Sequence, residues 1–315
     1  MTAFVVRRLA AMVPLLVLIS FAVFALVLLI PGDPARTLAG GVHADPAAVS
    51  QIRHQLHLDQ PLLQQYWRWL THAARGDLGT PLFQAGSVSS GIASRFPATL
   101  TLAVGGMLVA VVIGVPAGVI AGTRPGTGVD RLATLGSSLG IAVPDFWLAM
   151  ILVVLFAVEL HALPAIGYSA FAQSPTAWAR HLVLPWVALG LAGGATLARQ
   201  VRGALIDVLD QDYIRTARAM GISEREVIGK LALKNALTPA VTILGIQFAY
   251  LLGGTFIIEN IFSIPGMGSY MLQAIDAKDL PIIQGVVLIT ATIFVVVNLV
   301  VDIAYAFLNP KVRIS

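Results

Sequence analysis

The chain has no cysteine, which excludes disulfide frameworks, thiolate zinc sites and cysteine nucleophiles. Charge is scarce as well. Only 11% of the 315 residues are Asp, Glu, Lys or Arg, against about 25% in a soluble domain, and 57% are hydrophobic. That balance describes an integral membrane protein. Two signatures are also missing: a G-x-x-x-x-G-K-[ST] phosphate loop, so the chain is no ATP motor, and H-E-x-x-H, so it is no zinc protease. The net charge of +4 points to no nucleic acid, because a bilayer protein gathers Lys and Arg on its cytoplasmic side for topological reasons.

What the sequence does have is apolar runs. A crossing needs about 20 residues, and six such runs lie near 9–30, 98–121, 132–160, 182–200, 237–258 and 281–308. The third is long for a straight crossing and holds Pro144, which predicts a kink or an interfacial first turn. The first follows Arg7 and Arg8 but exceeds the 7–15-residue core of a signal peptide, so it reads as a retained signal anchor. With the N-terminus inside, Arg124, Arg131, the 199–234 segment, Lys311 and Arg313 become cytoplasmic, and short outer loops keep only Arg180 and Lys278. The expected architecture is therefore all-α and polytopic, with six transmembrane helices and both termini cytoplasmic.

Residues 31–96 form an extracytoplasmic loop subdomain between the N-terminal helix (1–30) and a five-helix core (97–315). Within it, helices are expected from Asp45-Pro46 and from Pro61 to about Ala74. They serve either as a cap on the bundle or as a docking surface for an extracytoplasmic partner. His54 and His57 stand one turn apart, but two exposed histidines more often are simply solvated, and no metal site is assigned.

One stretch departs from the apolar theme: DYIRTARAMGISEREVIGKLALKN, residues 212–235, within the 204–235 loop. Gly221 supplies a helix end, and Ser223 with Glu226 makes an S-x-x-E capping box that opens a new helix. The pattern is helix, glycine hinge, short helix. One reading sets Arg215, Arg218, Arg225, Lys230 and Lys234 against anionic membrane lipid. The other makes the segment a protein-docking knob, which the interspersed Glu224, Glu226, Asp207, Asp210 and Asp212 favour.

Ala217-x-x-x-Gly221, nine residues and then Leu231-x-Leu233 resemble the cytoplasmic EAA loop of ABC-importer permeases. Arg215 and Thr216 replace the consensus Glu and first Ala, and Lys234 replaces the Pro, so no contact of that Glu carries over to Arg215. RTARAMG and LKNALTP are similar to the dipeptide, oligopeptide and nickel branch. So are RRLAAMVPLL, LIPGDPA, QYWRWL, GDLGTP, FPATLTLA, VPDFWLA, IENIFSIPGMG and VNLVVDIAYAFLNPKVR, in that order along nearly the whole chain.

The resemblance implies a permease in the bacterial inner membrane, a transport subunit and not an enzyme. It implies a second homologous permease, two ABC ATPase subunits that hold ATP and Mg, and an extracytoplasmic substrate-binding protein. This chain itself holds no cofactor. The loop becomes a coupling helix, with Arg215, Ala217, Gly221, Ser223, Glu224, Glu226, Lys230 and Leu233 as the ATPase-coupling residues, and substitution of Gly221 or Glu226 is expected to uncouple hydrolysis from uptake. Dipeptides or oligopeptides are the first expected cargo, with nickel, haem or glutathione as alternatives. An ion-coupled secondary transporter is the competing class, but no repeat is evident and buried charges are few.

Polar groups stranded in spans are candidates for the passage: Asp145, Gln247 and Asn298, with Asp302 nearer the cytoplasmic end. For Gln247 and Asn298, helix-to-helix hydrogen bonding is the favoured role. Pro265, Gly266 and Gly268 in NIFSIPGMGSY offer either an outer gate or plain turn chemistry. Valine at Gly266 and Gly268 is expected to stop uptake without loss of assembly, and Gly253-Gly254 to allow close helix packing.

Overall fold

The computed structural model describes residues 2–28, 35–36, 39–40, 43–55 and 57–308. All but the last residue of LIPGDPA, and both Lys311 and Arg313, lie outside them. Helix is the regular structure of the described residues. Four helices, α1 (Thr2–Leu28), α4 (Val88–Gly122), α7 (Pro175–Leu209) and α13 (Leu280–Leu308), contain stretches long and apolar enough to cross a membrane. Two bent pairs raise the number to as many as six: α5 (Gly128–Ala142) with α6 (Asp145–Glu159), and α9 (Glu224–Ala236) with α10 (Thr238–Gly254). The remaining elements are α2 (Pro46–Gln55), α3 (Leu62–Ala73), α8 (Asp212–Ala219), α11 (Phe256–Ile261) and α12 (Met267–Ala277).

The third expected span is broken more sharply than a proline kink. The axes of α5 and α6 differ by 100°. Pro144 lacks the N–H that would continue α5 and pushes the residue before it into extended backbone, and Val143 adopts φ −82°, ψ 122°. α5 itself starts about one turn earlier than its apolar run, capped by the Thr127 side chain, which accepts a hydrogen bond from the Asp130 N–H.

The chain divides into two compact units. One comprises residues 7–96 and 270–292. Here the Tyr66 hydroxyl on α3 meets Ser20 Oγ on α1 at 2.8 Å, and its ring stands edge-on to Phe21 and Phe24. Asp279, just before α13, accepts the backbone N–H groups of Leu82 and Phe83, and the Arg95 guanidinium lies 4.0 Å from the Tyr270 ring centroid.

The other unit comprises 1–6, 97–269 and 293–315. Its centre is the contact of α4 with α7, which meet backbone to backbone. A Cβ on Gly118 would stand 2.6 Å from the Ala198 carbonyl oxygen, and one on Gly190 would stand 2.6 Å from that of Gly106. Glycines at 106, 114, 118 and 122 recur every four or eight residues, so they share one face of α4, and that face runs alongside Gly190, Gly194, Ala198 and Arg202 of α7. In a membrane, where lipid is as apolar as leucine, such close approach is what holds helices together. Gly254 plays no such part, since a Cβ there meets only Tyr250 of its own helix, at an ordinary 3.6 Å.

A charged clamp fastens α5 to the same helix. Arg202 holds the buried carboxylate of Asp130 through Nε and through Nη2, the latter at 2.8 Å. Valine at Gly118 is expected to part α4 from α7 at a cost of about 3 kcal/mol, read as a lower unfolding temperature of the detergent-solubilised protein. A midpoint equal to wild type would mean that the two helices do not depend on this approach.

Candidate functional site

The charged stretch folds as the hairpin α8–α9. α8 ends at Met220, and Gly221 takes φ +78°, a conformation glycine adopts without strain, with open space around its Cα. Ser223 then caps α9, its hydroxyl accepting from the Glu226 N–H at 3.4 Å and lying 3.4 Å from Glu226 Oε2. From Val227 to Ala232 the helix widens to π-type turns before closing again at Leu233.

Two kinds of contact set the angle of the hairpin. Inside it, Ile214 and Ala217 of α8 pack with Val227, Ala232 and Ala236 of α9 against Leu205 of α7, forming a small core. Ala217 therefore packs inside the hairpin, and Leu233 is half-buried. Outside it, Arg218 reaches Glu224 with two hydrogen bonds of 2.7 and 3.1 Å, Lys230 meets Glu226 at 2.7 Å, and Arg215 meets Asp210 at 2.8 Å. The Glu224 carboxylate holds the Arg218 guanidinium above its ordinary pKa. Water screens pairs this exposed, so they orient the hairpin more than they stabilise it.

Two participants escaped the sequence reading. Asn235 donates to the Tyr213 hydroxyl at 2.9 Å, tying the end of α9 to the start of α8. At the opposite end Met220 is 75% exposed, next to Gly221 and the partly exposed Ile222. A thioether at the tip of an otherwise charged hairpin is a soft apolar knob of the kind that adapts to a partner's groove. The sequence signal was available: a lone methionine flanking the glycine of a helical turn.

The candidates for the passage are scattered through the second unit. Asp145 opens α6 right after the break, in the first turn, where a carboxylate complements the helix dipole. Gln247 on α10 donates to the Gly193 carbonyl on α7 at 3.2 Å, while its Oε1 is buried with no partner among the described residues. Asn298 returns its side-chain N–H to Phe294 of its own helix at 2.9 Å. Asp302 is half-buried on α13. In the other unit His54 pairs with Asp59 at 2.9 Å, rather than with His57.

The turn after α11 is organised by a group the sequence reading did not single out. Glu259 is fully buried. Its Oε1 accepts from the hydroxyls of Thr99 on α4 at 2.6 Å and Thr255 at 3.1 Å, and its Oε2 accepts from the Ser269 N–H at 2.9 Å. The Thr99 hydroxyl in turn accepts the Met267 N–H at 2.9 Å. A buried carboxyl needs such donors to be tolerated at all. Gly266 lies directly over that carboxyl and Gly268 over Phe256, with no room for a Cβ at either, whereas Pro265 is exposed.

Residues 114–314 match the family described as binding-protein-dependent transport system inner membrane component, and residues 1–103 match the N-terminal family of the same systems. The chain is 41% identical over 313 residues to the glutathione transport system permease protein GsiC of Escherichia coli strain K12 and to that of Salmonella paratyphi A, covering 99% of each relative and of itself. Among solved structures, a chain of the MetNI methionine ABC transporter in an inward-facing conformation shares the fold. It is matched with a TM-score of 0.58 and 19% identity, over 70% of this chain and 96% of its own length.

Proposed function

Because the chain belongs to the family of binding-protein-dependent transport system inner membrane components, we propose that it forms one half of the passage through which an ATP-driven importer takes up glutathione. The chain is an ABC-importer permease, a transport subunit of the inner membrane. The cargo reading is carried by the 41% identity, end to end, with permeases named for glutathione. Glutathione is itself a tripeptide. Other dipeptides and oligopeptides are the second reading, supported by the branch that RTARAMG and LKNALTP resemble.

In this reading both termini are cytoplasmic, and a second, homologous permease completes the passage. Two ATPase subunits bind ATP and Mg and seize the α8–α9 hairpins. A binding protein delivers cargo to the outer face, where the Glu259-centred turn with Pro265 acts as part of the gate. Nucleotide shifts the permease only through a difference in docking free energy between its inward-facing and outward-facing states. The exposed Met220 tip supplies an apolar contribution to that difference. Burying a methionine side chain is worth about 1.5–3 kcal/mol.

The test is uptake by the complete importer reconstituted in proteoliposomes with its binding protein, supplied with labelled glutathione, a dipeptide and a pentapeptide. ATP-dependent accumulation of glutathione in preference to the others is expected. Accumulation of a peptide with none of glutathione would transfer the cargo assignment to the second reading.

A further inference from the structure

Two adjoining hollows run beside α7. One, of about 380 Å3, is lined by Ser137 and Ser138 of α5 and by Arg199 and Arg202 of α7. The other, of about 460 Å3, is apolar, with Ile113, Leu139, Trp147, Leu148 and Leu191 in its wall. Both include Ala117, Ala133, Ser137 and Ala198, so they form one continuous groove. Its polarity is ordered along the helices. On α7, Arg199 and Arg202 line only the polar end and Leu191, Gly194 and Ala195 only the apolar end; on α4, Ala121 lines only the polar end and Ile113 only the apolar one. From Arg199 to Leu191 is eight residues, about 12 Å along the helix axis.

The two arginines differ in what they have left to offer. Arg202 is committed to Asp130. Arg199 is exposed, donates to the Ser138 hydroxyl at 3.2 Å, and among the described residues has no carboxylate partner. A guanidinium with free donors, flanked by serine hydroxyls, matches a phosphate oxygen pair. It stands where the apolar run of α7 gives way to Arg199, Gln200 and Arg202.

We propose that this groove binds one anionic phospholipid, with its phosphate on Arg199 and Ser138 and an acyl chain along the apolar hollow. Basic pockets between transmembrane helices hold anionic headgroups in this way. The apolar extension argues for a lipid over a free phosphate or a cargo carboxylate, neither of which would fill it. The inference requires only that the chain spans a membrane and is independent of the cargo.

The intact importer is reconstituted in nanodiscs of phosphatidylcholine with a minor fraction of phosphatidylglycerol, and the lipid retained is counted by native mass spectrometry. Wild type is expected to keep one phosphatidylglycerol per copy of this permease. Arg199→Gln is expected to retain about tenfold less, the worth of one charge-assisted hydrogen-bonded contact, and Arg199→Lys to lie between them. Thermal unfolding of each variant verifies that the fold is kept.

Equal retention in wild type and Arg199→Gln overturns the proposal, as does absence of retained lipid in wild type, which would mean the second permease covers the groove. Displacement of the lipid by millimolar inorganic phosphate would assign the site to free anions instead. A raised KM for glutathione in Arg199→Gln with lipid retention unchanged would assign it to cargo.

Discussion

Gly266→Val is expected to abolish the folded protein, not merely its transport. The valine Cβ would overlap the Glu259 carboxyl group, which has nowhere to go: it is fully buried and fixed by Thr99, Thr255 and the Ser269 N–H. Displacing it strands a buried polar group and leaves its three donors unpaired, a loss of about 3–5 kcal/mol. The check is the yield of membrane-inserted protein and its unfolding temperature in detergent. Wild-type values for both would show that the turn is looser than its packing implies. Valine at Gly266 or Gly268 is thus expected to cost assembly as well as uptake, contrary to what the sequence suggested, because neither position has room for a Cβ. Pro265, which is exposed, is the position at which gating can be separated from folding, and Pro265→Ala should leave yield unchanged.

Met220→Asp is expected to lower uptake at least about tenfold while leaving the protein folded. The side chain is 75% exposed, so the isolated permease loses almost nothing. In the proposed docking, in contrast, the ATPase cleft would have to bury a carboxylate in place of a thioether, and an unpaired buried charge costs far more than the 1.4 kcal/mol that makes a factor of ten. ATP hydrolysis stimulated by loaded binding protein and glutathione uptake are measured on the same proteoliposomes. Unchanged values for both would remove the hairpin tip from the coupling contact. Gly221→Val tests the mount rather than the knob: at φ +78° a Cβ costs about 1–2 kcal/mol, enough to shift the hairpin angle.

The crossings and the hairpin were legible in the sequence because their signals are local. Twenty apolar residues in a row, a glycine at a helix end and a serine three residues before a glutamate each act through their immediate neighbours. The α2 and α3 starts were read from proline in the same way and fall within a residue or so of expectation.

The rest is non-local. Glu259 sat in plain view within IENIFSIPGMG, yet its role depends on Thr99, 160 residues away. The four-residue rhythm of Gly114, Gly118 and Gly122 was present too, but spacing alone does not say which helix faces it. Pro144 announced an interruption; its size, 100°, is set by what α5 and α6 pack against. Ala217 matched a family motif and was named among the coupling residues, whereas its burial against α9 follows from the hairpin closing on itself.

The span of α7 has a mechanical corollary. Its 35 residues extend about 52 Å, roughly 20 Å more than a bilayer's hydrocarbon is thick. It is clasped near its middle by the glycine contacts of α4, and it carries the α8–α9 hairpin on its far end through Leu205. Such a rod has a fulcrum and two arms. A sideways tug on the hairpin would tilt it about the clasp and swing the arm beyond the clasp the opposite way. In the proposed coupling, a short stroke at the hairpin would thereby reach the other end of α7 with its direction reversed.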